Sequence, residues 1–198
     1  MIIPKSPDPR GNRKLYLVNA PTTEPITVNE LKTFARLSGT AEDDLLEGFI
    51  KAIRGQMELY LRRALISQTW AISMDFWPSE VIQLPMPPLI SVTSVVTIDE
   101  DDTETTYDSD NYYVHTNSIP GELVLKNGVT APYNTDRYHG GYKITYTAGY
   151  GTAASDVPQL IREGIKLWTT LFYEDRITTA EPPDDVKKMV RFYRMDRI

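Results

Sequence analysis

Apolar positions change their period twice along the chain, from helical to alternating and back again. Val28, Leu31, Phe34 and Ala35 recur at steps of three and four residues, which gathers them on one helix face. Thr27 and Glu30 ahead of them have the spacing of a capping box, in which each side chain satisfies a backbone N–H left free at the helix start. Gly39 supplies a stop. Thr40 opens a longer helix running to Arg63, with Glu42, Asp43 and Asp44 in its first turn and arginines at its end, the signs that suit the helix dipole. Its stripe is Leu45, Leu46, Phe49, Ile50, Ile53, Met57, Tyr60 and Leu61.

After Leu65 the period becomes two. Trp70, Ile72, Met74 and Phe76 alternate with Thr69, Ala71, Ser73 and Asp75, the signature of a strand with one buried face. The Pro-rich "LPMPPL" that follows lacks several N–H donors and is expected as an edge or connector. "SVTSVVTI" resumes the alternation, with Val92, Val96 and Ile98 assigned to one face. Three more strands are expected at "DNYYVHT", "GELVLK" and "YKITYTA", with a tight turn at Asn127–Gly128 and with Tyr142, Ile144, Tyr146 and Ala148 on one side. Helix returns after Pro158, a residue at home near a first helical position. Leu160, Ile161, Ile165, Leu167, Trp168, Leu171 and Phe172 spread over several sides of it, as expected of a helix packed on more than one neighbour. A break containing "EPP" precedes a last helix at roughly 184–196, whose narrow stripe is Val186, Met189, Val190 and Tyr193.

The expected fold is therefore α+β: a helical body with an inserted, small, mostly antiparallel β lobe and a C-terminal helix. The expected boundaries are an extended N-terminal arm at 1–26, helical body at 27–66, β lobe at 67–148, the body's second part at 149–176, and a hinge with a docking helix at 177–198. The arm holds a short strand at "KLYLV" or is a loose terminus. There is no internal repeat.

Composition narrows the function. The 198 residues carry a net charge of −6, which argues against a protein whose main task is coating nucleic acid. No cysteine is present, so disulfides, thiolate metal sites and cysteine nucleophiles are absent. No apolar stretch approaches the ~20 residues of a membrane helix, and the N-terminus lacks a signal-peptide core, so residence in the cytoplasm or in a particle assembled there is expected.

Candidate chemistry is thin. His115 falls in a strand and His139 in a Gly-rich turn, with no spaced carboxylates around either. An enzyme site in the β lobe would have to use one or both. The run Asp99–Glu104 lacks the alternating oxygen ligands and glycine of a calcium loop and reads as a charged hairpin tip. Residues 99–110 hold seven acids and no base, enough to repel DNA or attract a basic partner. "TAGYG" lacks the lysine of a phosphate loop, and its glycines are expected to supply backbone angles where the lobe ends. No cofactor, metal or catalytic set is expected. The terminal helix, flanked by Lys187, Lys188, Arg191, Arg194 and Arg197, suits a partner's groove, DNA or a membrane surface, and equally a core helix with a solvated back.

Four segments together resemble the head–tail connector proteins of tailed phages, also called head-completion or adaptor proteins. They are "EDDLLEGFIKAIRGQMELYLRRALISQTW", "IQLPMPPLISVTSV", "YKITYTAGYG" and "VPQLIREGIKLWTTLFYEDR", in order across roughly residues 27–176. The resemblance implies a non-enzymatic virion protein of the neck, assembled in the host cytoplasm. It implies a dodecameric ring of copies beneath the portal, extending the DNA channel towards a stopper or terminator protein on the tail side. DNA is then passing cargo, and no membrane is involved. Family members commonly dock to the portal through a C-terminal segment. On that basis Val186, Met189, Val190, Arg191, Tyr193 and Arg194 are the candidate portal-docking residues, and removal of 184–198 is expected to abolish docking while leaving a folded body. The alternative function is a nucleic-acid-binding module using the basic arm and terminal helix.

Overall fold

The computed structural model describes residues 13–78, 81–133, 137–175 and 181–195. The fold is α+β, and the chain divides into a β unit, residues 1–20 with 68–148, and a helical unit, residues 21–67 with 149–198.

In the helical unit, α1 (Val28–Ala35) opens on the expected capping box: the Glu30 N–H donates to the Thr27 hydroxyl at 3.1 Å, and the Thr27 N–H donates to the Glu30 carboxylate at 2.7 Å. The helix stops earlier than Gly39, because Arg36 takes the left-handed conformation (φ 56°) and its N–H closes on the Lys32 carbonyl. The next helix, α2 (Asp43–Leu61), starts after Glu42 rather than at Thr40, and ends on Arg62, again left-handed (φ 55°). Leu46, Ile50, Ile53, Met57 and Leu61 form its buried stripe, while Leu45 at the stripe's margin is 42% exposed. Two further helices, α3 (Gln159–Asp175) and α4 (Asp184–Val190), complete the unit. As the breadth of its apolar surface suggested, α3 packs on α1, α2 and α4. The core gathers Ile26, Leu31, Leu65, Ile66, Ile161, Ile165 and Trp168 with the α2 stripe.

Among the described residues the β unit holds two antiparallel sheets. One has the order β1-β2-β8-β4-β5, built from β1 (Arg13–Asn19), β2 (Gln68–Met74), β4 (Leu89–Ile98), β5 (Glu104–Thr106) and β8 (Tyr142–Ala148). The other, β3-β7-β6, is built from β3 (Val81–Leu84), β6 (Tyr112–His115) and β7 (Gly121–Leu125). Trp70, Ile72 and Met74 stand opposite Tyr146, Ile144 and Tyr142, so the alternation read in both strands points to one face.

The short strand expected at "KLYLV" is present as β1, paired with β2 with a register slip at Val18, and residues 1–12 lie outside the described residues. One expectation changes. In β4, Val92, Val96 and Ile98 do not share a face. The register slips between Leu89 and Ser91 and again between Val92 and Ser94, so Val95 rather than Val96 stands opposite Ile144, and both valines are buried on opposite faces. One extra residue in a strand inverts every later side chain, and a period-two count run straight through it assigns the wrong set.

Candidate docking surfaces

The C-terminal segment is held more closely than its sequence suggested. Residues 176–180, which include the start of the expected hinge, lie outside the described residues. α4 beyond it packs on α3 at Gly164, where an added Cβ would stand 3.1 Å from a Val190 methyl and 3.5 Å from one of Val186. Val186 and Val190 are fully buried members of the unit's own core, and Met189 and Tyr193 pack half-buried against it. Removal of 184–198, expected to leave a folded body, would take these two side chains out of that core.

The chain after α4 is fastened to the end of α2. A short 3-10 turn at Arg191–Tyr193 leads into extended backbone. There the Met195 N–H donates to the Leu61 carbonyl at 3.0 Å, satisfying one of the acceptors that a helix end leaves open. Arg63, only 8% exposed, donates to the Tyr193 carbonyl and sets a second guanidinium nitrogen 3.3 Å from the Met195 sulfur. Arg194 lies over the Tyr60 ring and Arg191 over Phe192, each 4.7 Å from the ring centre.

Of the six candidate docking residues, the structure thus buries Val186 and Val190, half-buries Met189 and Tyr193, and leaves Arg191 and Arg194 exposed. Phe192, 79% exposed, stands among them and was not one of the candidates. The signal was present: an aromatic residue lying off the helical stripe has no place in that helix's core face. The basic flank is also weaker than it read, because Lys187 pairs with Glu181 at 2.7 Å and Lys188 with Asp185 at 3.1 Å.

Behind this segment a chain of buried charges fixes the turn that follows α2. Arg54 bridges Glu24 at 2.7 Å and Glu58 at 2.8 Å, and the buried Glu58 accepts the Leu65 N–H at 2.9 Å. Burial raises the Glu24 carboxyl above its ordinary pKa, a shift that Arg54 opposes. At Glu30, burial pushes upward but is outweighed by the Thr27 N–H and hydroxyl and by Arg162, so its carboxyl lies below the ordinary value. "TAGYG" serves the same region: Gly149 has φ 138°, and a Cβ there would stand 2.6 Å from the Ile66 carbonyl carbon. Its glycine answers a close backbone approach and forms no phosphate cradle.

In the β unit charge collects at the rim. The Asp99–Thr103 turn is an Asx-type loop in which the Asp99 carboxylate accepts the N–H groups of Asp101 and Thr103 at 3.0 and 2.9 Å. Arg137 reaches the Asp99 carbonyl at 3.1 Å and the Asp102 carboxylate, and Lys143 pairs with Glu104. Glu100 and Asp101 remain exposed at the tip. At the opposite edge of the same sheet, β1 exposes Tyr16, Leu17 and Val18. His115 is exposed on β6, and His139, 81% exposed, lies 3.3 Å from Asp75. Among the described residues no group of three or more His, Asp or Glu comes together as a metal site.

Three solved structures share the fold across 93% of this chain. One is the neck of an empty gene transfer agent (GTA) particle computed with C6 symmetry, with TM-score 0.80, 22% identity and 97% of that chain covered. Another is the virion of a native GTA particle, with TM-score 0.78, 23% identity and 96% coverage. The third is the neck of a native GTA particle computed with C12 symmetry, with TM-score 0.77, 21% identity and 97% coverage. No curated protein sequence matches. The profile of a family described as head completion protein matches residues 24–195, spanning both units, and the chain belongs to that head completion protein family.

Proposed function

We propose that this protein is a non-catalytic structural subunit of a head–tail connector. Copies of it form a ring beneath the portal, extend the DNA channel and join the head to a stopper or terminator protein on the tail side. The observation that carries this reading is the family match running through the helical unit and the β unit alike. The likeness to neck structures computed with C6 and C12 symmetry supports the ring. The protein's place is then the virion neck, assembled in the host cytoplasm, and DNA is passing cargo. An acidic chain suits that role, because a basic channel would hold DNA through counterion release.

The C-terminal segment is the portal-docking element in this reading. Val186, Met189, Val190 and Tyr193 anchor it to the helical unit, while Arg191, Phe192 and Arg194 face the partner. Exposed aromatic and arginine side chains are the types that dominate interface energies. The test is particle assembly without this protein. DNA-filled heads that lack tails and leak their genome are the expected outcome, and normal yields of complete tailed particles would overturn the reading.

A further inference from the structure

The two edges of the five-stranded sheet differ in a way that ordinary solubility does not explain. Natural proteins blunt exposed strand edges by shortening them or loading them with charge. β5 is blunted both ways, with three residues and an acidic turn before it. β1 is blunted less: a register slip at Val18 and two bases at its start are its only such features. It runs for seven residues, contains no proline, and leaves Tyr16, Leu17 and Val18 at 38%, 42% and 47% exposure. Among the described residues no strand lies beyond it. Its charged residues, Arg13 and Lys14, sit together at its start.

The ladder shows which ends of the two edges correspond. Arg13 stands opposite Met74, which stands opposite Tyr142, then Thr97, then Thr105. Lys14 likewise shares its rung with Ser73, Lys143, Val96 and Thr106. Glu104 pairs with Ile98 on the next rung towards the hairpin tip. The two bases of β1 and the acids at 99–104 therefore occupy the same end of the sheet, on opposite edges. Side chains alternate with period two, so Lys14 and Glu104, two rungs apart, also project to the same face.

We propose that these edges are the two halves of one self-contact, β1 of each copy lying alongside β5 of the next. The inference rests on the ring reading above and assigns it a surface. Every neighbouring pair in the sheet is antiparallel, so β1 and β5 run in the same direction and the junction is parallel. A second copy set beside the first, without being turned over, brings Arg13 and Lys14 against Glu100, Asp101 and Glu104. Turned over, it separates the charges by the length of the strand. Charge thus selects the head-to-tail arrangement, the arrangement that closes rings when repeated by rotation.

The test uses the full-length chain, which has no native cysteine. Lys14→Cys and Thr106→Cys in one chain share a rung, and adjacent strands bring their Cα atoms within disulfide range. Under oxidation this variant is expected to give a ladder of linked oligomers, and each single variant is not. In parallel, Arg13→Glu with Lys14→Glu is expected to weaken self-association in low salt about tenfold or more, and adding Glu100→Lys with Asp101→Lys to restore it. Native mass spectrometry reads the assemblies, and circular dichroism checks that each variant folds. Rings of unchanged mass from the reversed variant, with no ladder, would overturn the contact and leave the ring reading standing. Only monomers from the native chain at every concentration, with no ladder, would remove both. Intact rings that lose a neck partner on charge reversal would give the β1 edge to that partner and overturn the self-contact.

Discussion

The helical unit and the β unit use charge in opposite ways. In the helical unit charged side chains are drawn inside: Glu58 at 5% exposure and Arg63 at 8% each hold backbone groups where the chain turns or ends. In the β unit charge stands at the rim, in a hairpin tip and at the start of an edge strand. A buried charge with fixed partners is a fastener, and its loss leaves the partner stranded in low dielectric. A rim charge contributes little to folding and much to the choice of partner. The same residue types therefore predict different phenotypes: unfolding from the helical unit, failed association from the β unit.

Substituting the core end of the docking segment should have the largest effect. Val186→Asp puts an unpaired carboxylate into a fully buried position and is expected to cost more than ~4 kcal/mol, enough to unfold the helical unit in a denaturant melt. A folded variant would return α4 to the status of a detachable helix. Glu58→Ala comes next. It leaves Arg54 with Glu24 alone and takes the acceptor from the buried Leu65 N–H, and a loss of about 3 kcal/mol is expected in chemical denaturation. A change under ~1 kcal/mol would erase the contrast between fasteners and rim charges.

Smaller effects sharpen the contrast. Glu30→Gln weakens the capping box and the pair with Arg162, with an expected cost of about 1 kcal/mol at neutral pH. Because the Glu30 carboxyl is depressed in the folded state, its contribution is complete above the ordinary carboxylate pKa. It is lost as pH falls through the depressed value. The difference between native and variant melting temperatures should accordingly shrink in acid, and a constant difference would assign the effect to packing. Phe192→Ala, at an exposed position, should leave stability within ~0.5 kcal/mol while weakening portal capture in a pull-down. Undiminished capture would move the docking surface elsewhere. Glu100→Lys with Asp101→Lys should change folding least of all, again within ~0.5 kcal/mol, and should be visible only in association.

Local features were legible in the sequence where one principle governed them. The capping box at Thr27 and Glu30, the stripe of α2 and the alternation of Tyr142, Ile144, Tyr146 and Ala148 all follow from spacing alone. The bulge in β4 was not legible, because an extra residue has no compositional mark and Val95 and Val96 are chemically alike. Nor was the membership of β1 in the sheet. Its partner lies fifty or more residues away in sequence, and a seven-residue segment reads equally as an arm. The docking segment was half legible: periodicity identified an apolar stripe at Val186 and Val190, but cannot say whether a stripe meets the protein's own core or another chain. That distinction required Gly164 on α3 and Arg63 beyond α2, residues whose role appears only when the chain is folded.

The most direct test of the connector role is native mass spectrometry of this protein mixed with the portal protein of the same particle. The account predicts a portal complex carrying a fixed, ring-sized number of copies, reduced to free portal by Phe192→Ala with Arg191→Glu. Separate species at every salt and protein concentration would contradict it.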